Sequence, residues 1–102
     1  MRIDAAAVLH EVEVPLPEEG RRLADAVLRG VEVGEVELDL TGVRGMTTAF
    51  ANAFFLRMFA SLTPDEVRAK VKLETRSALQ RDVMRRSLQA ALLDTASGQR
   101  PA

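Results

Sequence analysis

Two adjacent threonines, Thr47 and Thr48, head an apolar run and are the side chains of this chain best placed to do chemistry. A hydroxyl at the start of a helix accepts a hydrogen bond from an unpaired backbone N–H. The same helix end carries a partial positive charge, which suits an anion or a phosphorylated residue. Around the pair stand Thr41-Gly42, which breaks a strand pattern, Arg44, able to reach an anion bound there, and Asn52, one helical turn after Thr48. Each also has a plainer role: one threonine as a helix cap, Arg44 as a solvated loop cation, Asn52 as a polar link inside the core. Nothing else in the chain adds up to a reaction. There is one histidine, His10, and no cysteine, so neither a Ser/His/Asp nor a Cys/His arrangement can be assembled. No second ligand type stands at metal spacing from His10, and no glycine-rich phosphate loop with lysine is present. No cofactor and no metal site is expected.

The elements that must position these hydroxyls follow from periodicity. Val36, Leu38 and Leu40 alternate with Glu37 and Asp39, so residues 35–40 read as a half-buried strand that delivers the chain into the loop 41–46. From Thr47 to Leu62 the spacing is helical, and between Ala49 and Ala60 only Asn52 and Arg57 are polar. Such a helix is central to a core, or keeps one face for another subunit. Upstream, Val8–Val14 alternates as a first strand, and Pro15-Leu16-Pro17 ends it. A helix over Glu18–Arg29 carries Leu23, Ala24, Val27 and Leu28 on one stripe, with Gly30 and Gly34 at its exit. Downstream, Thr63-Pro64-Asp65-Glu66 is a helical start, Lys70–Glu74 alternates as a third strand, and a last helix covers Arg76–Asp94. That helix has two apolar stripes, Met84-Leu88-Leu92 and Leu79-Val83-Ala90, with Arg81, Arg85 and Arg86 on its polar arc.

The order β-α-β-α-β-α implies an α/β fold with a small, mainly parallel sheet of three or more strands. Each strand carries charge on one side, which argues for helices mostly on one face. Two right-handed crossovers leave their helices on one face only if the second strand is in the middle, where its acids can pair with bases on the third. Val36, Leu38, Leu40, Phe50, Phe54, Val71, Leu73 and Leu79 are the expected core. At 102 residues the chain reads as one domain over 1–95 followed by a flexible tail, 96–102.

The formal net charge is −1, which gives no basis for nucleic-acid binding. Residues 1–63 hold six Lys/Arg against ten Asp/Glu, and residues 64–102 eight against five, so acidic and basic surfaces segregate along the chain. No run of eighteen or more apolar residues spans a membrane, and acids flank the short apolar stretch after Met1, which argues against a signal peptide. A cytoplasmic location is the expectation, and the surplus apolar surface of the last two long helices suggests a homodimer.

The same residues resemble the STAS domains, the anti-sigma-factor antagonist fold, and look closest to the STAS-like family of unknown function. In the antagonists a Leu-Asp-Leu strand leads through a short loop to Asp-Ser-Ser-Gly at a helix start, and the Ser after that Asp is phosphorylated. Here Leu38-Asp39-Leu40 takes the strand, Thr47 the Asp position and Thr48 the phosphoacceptor position, with Ala49 and Phe50 following. The STAS-like family carries a hydroxyl pair followed by Phe-Ala, which Thr47-Thr48 and Phe50-Ala51 approximate with Ala49 interposed. Gly20-Arg21 is also similar to that family. The chain departs from the antagonists in having no acid just before Thr48 and no glycine after the pair, and kinase recognition in them is built on that segment. The resemblance covers about residues 18–93 and implies a non-enzymatic regulatory module. Such a module acts by protein–protein interaction, in partner switching with a kinase-like, ATP-binding anti-sigma regulator. Thr41, Gly42, Arg44, Thr47, Thr48 and Asn52 would form the docking edge. A small-ligand or anion sensor at the same helix end, and a homodimeric assembly domain, are the alternatives.

Overall fold

The computed structural model describes residues 1–9 and 15–96, with side chains as far as Asp94. The elements are β1 (Arg2–Asp4), α1 (Ala5–Val8), α2 (Pro17–Val31), β2 (Val36–Asp39), α3 (Thr48–Ser61), α4 (Pro64–Lys70), β3 (Val71–Glu74) and α5 (Ala78–Ala96). The three strands form one parallel sheet in the order β1-β2-β3, so the second strand is central as expected. In register, Ile3, Leu38 and Leu73 form one row, flanked by rows Arg2-Glu37-Lys72 and Asp4-Asp39-Glu74. The apolar row turns towards the helices. The two charged rows make the open face, where Arg2 contacts Glu37 at 3.4 Å, Asp39 at 3.0 Å and Glu74 at 2.5 Å. Arg2 therefore supplies the cation for the carboxylates of β2, although Lys72 stands beside Glu37 in register.

The first strand is displaced from its expected place. Asp4 accepts a hydrogen bond from the Ala6 N–H at 3.1 Å and caps the four-residue helix α1, so Val8 is helical. Three consecutive alanines favour that turn, and only three residues upstream are left to pair with β2, too few to show alternation. The rest of the expected strand, residues 10–14 with His10 among them, lies outside the described residues, as does the tail beyond Ala96. Ala96 itself belongs to α5.

The helix starts follow capping chemistry. Glu19 accepts from the Leu16 N–H at 2.6 Å with Pro17 at the first position of α2, and Thr63 and Glu66 exchange hydrogen bonds at 3.1 and 2.8 Å around Pro64. α2 runs through Gly30 to Val31, so only Gly34 follows its end.

α3 is the central helix, packed against both α2 and α5. Phe50, Ala51, Phe54, Phe55 and Met58 are buried, and Arg57 makes a two-bond ion pair with Asp25 of α2. The all-round apolar character of α3 thus reflects neighbours on two sides, with Leu56 left 48% exposed. Gly20 makes the α2–α3 approach possible, since a Cβ there would run into the Phe50 carbonyl oxygen. Of the expected core, Val36, Leu38, Leu40, Phe50 and Phe54 are buried, and Val71 and Leu73 are half-buried against it. Leu79 is a correction: it is 75% exposed, because α5 turns Gln80, Met84, Ser87 and Ala91 inward instead.

Candidate functional site

The strand β2 ends at Asp39, and the loop beyond it is tied down from both ends. One oxygen of Asp39 accepts from the Thr41 N–H at 2.8 Å and from the Thr41 hydroxyl at 2.5 Å, while the other meets Arg2. The Thr41 hydroxyl, then its N–H, and then Arg2 hold this carboxyl below the usual carboxylate range. Gly42 is exposed and passes α1 so closely that a Cβ would stand 2.9 Å from the Ala6 methyl. Val43 closes a turn onto the Leu40 carbonyl at 3.0 Å and is buried in the core.

From the other side, α5 holds the loop through Gln80. Its side-chain amide donates to the Leu40 and Val43 carbonyls at 3.1 and 3.0 Å, and its side-chain oxygen accepts from the Arg76 N–H at 2.7 Å. At 4% exposure Gln80 is one of two buried polar side chains among the described residues, and its hydrogen bonds satisfy it in full. Arg76 reaches back to the Thr41 carbonyl at 3.4 Å. Neither residue was singled out by the sequence reading. A signal existed: Gln80 is a polar residue one helical turn before Met84, on a stripe otherwise apolar or small.

The two hydroxyls divide the labour. Thr47 is the N-cap of α3, accepting from the Phe50 N–H at 3.1 Å and donating to the Pro15 carbonyl at 3.3 Å. Thr48, the first helical residue, is exposed, and among the described residues its hydroxyl has no hydrogen-bond partner. Arg44 is exposed on the loop. Asn52 lines a cleft between α3 and α5 with Leu56, Ser87, Ala90, Ala91 and Asp94, whereas the loop residues Arg44 and Met46 line a different cavity. Among the described residues no group of three or more His, Asp or Glu could hold a metal ion, and no helix is long and apolar enough to cross a membrane.

A three-stranded parallel sheet with helices packed on it is an α/β fold consistent with a STAS-like domain. The chain belongs to the family described as the STAS-like domain of unknown function (DUF4325), which it matches over residues 4–77. That match runs from the end of β1 to the residue before α5. No curated protein and no solved structure matches the chain. STAS-like domains are generally non-enzymatic regulatory modules that bind other proteins.

Proposed function

We propose that this chain is a non-enzymatic regulatory module that docks another protein through the loop 41–46 and the first turn of α3. The observation that carries the reading is the contrast between the two threonines. Thr47 is committed to structure at both ends of its hydroxyl, while that of Thr48 has no hydrogen-bond partner among the described residues and stands on an exposed helix start, next to a loop braced by Asp39 and Gln80. A braced, exposed edge loses little freedom on binding, which favours recognition. The STAS-like resemblance supports partner switching, with a kinase-like ATP-binding regulator as the partner class and Thr48 at the phosphoacceptor-equivalent position. A phosphate on Thr48 would meet the positive end of the helix dipole, which stabilises it without unfolding the helix.

The test is a photo-reactive residue placed at position 48 in the native host, with a control at Val33, which is 81% exposed on the turn after α2. A protein cross-linked from position 48 and absent from the control supports docking at this edge. Equal patterns from both positions remove it. Thr48→Glu should then weaken binding of the cross-linked partner while the fold is retained, and equal affinity would take this turn out of the interface.

A homodimer is a second reading, favoured by the α3–α5 cleft. Leu56 is 48% exposed there, and the buried Ser87 hydroxyl on the cleft wall has no hydrogen-bond partner among the described residues. Sedimentation over a wide concentration range distinguishes a dimer from a monomer, and Leu56→Glu should shift a dimer towards monomer.

A further inference from the structure

Arg44 and Arg76 line one cavity of about 350 Å³, together with Met46, Leu79 and Val83. The cavity opens directly beside the loop, and among the described residues no aspartate or glutamate lines it. Arg44 is exposed and enters no ion pair among the described residues. The guanidinium of Arg76 has five N–H donors and spends one on the Thr41 carbonyl. Both cations therefore face the cavity with donor capacity to spare.

The apolar part of the wall is as informative. Leu79 is 75% exposed although it belongs to a long helix, and Val83 stands one turn further along the same face. Met46 packs beside them from the loop. Residues four apart on a helix form a ridge that another helix can straddle. Arginine and exposed aliphatic side chains around one depression make a typical binding surface, with the apolar centre excluding water and the cations selecting the partner. The surface is also held in place, because Gln80 bridges α5 to the Leu40 and Val43 carbonyls directly beneath it.

We propose that this cavity seats an acidic amphipathic helix of the partner protein. Its apolar stripe lies along Leu79, Val83 and Met46, and its flanking carboxylates pair with Arg44 and Arg76. The proposal rests on the docking reading above and adds the chemistry of the partner. Charge complementarity carries it: among the described residues the cavity offers two cations and no anion, so an acidic helix is admitted and a basic one is repelled.

The probe is a short fluorescent helical peptide with leucine on one face and glutamate flanking it, compared with versions in which glutamine or lysine replaces each glutamate. Anisotropy is read with the wild type, with Arg44→Gln/Arg76→Gln, and with Leu79→Ser. All three substituted residues have exposed side chains, and an unchanged thermal midpoint certifies the fold of each variant. The expected result is binding of the glutamate peptide alone, weakened by salt and reduced about tenfold in the double arginine variant. Leu79→Ser should weaken it as well. Equal binding of the glutamate and glutamine peptides, equal binding to wild type and double variant, or no binding of the glutamate peptide overturns the proposal. The cross-linking test is independent of this one. A specific cross-link from position 48 together with charge-independent peptide binding removes the acidic helix and leaves docking in place.

Discussion

Replacing Gln80 by leucine keeps the volume of a buried side chain and deletes its hydrogen bonds. Three backbone groups lose a partner: the Leu40 and Val43 carbonyls and the Arg76 N–H. The losses are unequal. The Leu40 carbonyl still accepts from the Val43 N–H at 3.0 Å, whereas no other hydrogen bond is described for the Val43 carbonyl or the Arg76 N–H. Two orphaned groups at about 1–3 kcal/mol each, eased by water at the loop rim, give an expected destabilisation of about 2–4 kcal/mol. That is a large share of the roughly 5–15 kcal/mol that stabilises an ordinary domain. Urea titration should show a lower midpoint with an unchanged slope, and amide exchange should rise most at Val43 and Arg76. Gln80→Glu separates hydrogen bonding from shape. It can still accept from Arg76, but it sets a carboxylate against two carbonyl oxygens, so it should be at least as damaging at neutral pH and recover on acidification as the acid regains a donor. A loss below about 0.5 kcal/mol for Gln80→Leu would refute the idea that this amide holds the loop.

Thr47→Ala should cost about 1 kcal/mol for the lost cap, while Thr48→Ala should leave the unfolding midpoint nearly unchanged; the reverse order in urea titration would exchange their roles. Gly20→Leu forces side-chain atoms onto the Phe50 carbonyl and should cost at least about 2 kcal/mol or prevent folding, read by circular dichroism and thermal midpoint. Asp39 has a folded-state pKa below its ordinary value, so its stabilisation is present above the ordinary carboxylate pKa and is lost as pH falls through the folded value. Thr41→Val removes the largest cause of that depression, and stability should then fall less steeply on acidification. Carboxyl-carbon NMR showing Asp39 titrating normally in the wild type would refute this.

Much of the scaffold was legible because its signals are local. Thr63-Pro64 and Glu66 specify the start of α4 through contacts within one turn, and Val36-Leu38-Leu40 declares which side of β2 is buried. β1 was missed for the opposite reason. Three residues are too few for alternation to show, and pairing with β2 alone makes them a strand. Leu79 was misplaced because α5 has two apolar stripes, and periodicity cannot say which of them meets the core. Asn52 was grouped with Thr48 from helical spacing, and the packing of α5 against α3 places it on the cleft between those helices.

By itself, then, the sequence determined the α/β class, the parallel sheet with its central β2, the starts of α2 and α4 and the hydroxyl pair that opens α3, but neither β1 nor α1. All of these depend on residues within a few positions of one another, or on the handedness of short crossovers. Tertiary structure alone decided that Thr47 ties to the Pro15 carbonyl, that Gln80 braces a loop about forty positions upstream, and that Arg44 and Arg76 face one cavity. Those relations exist only once α2 and α5 have packed against α3, because hydrogen bonds and charges act through space and leave no period in the chain.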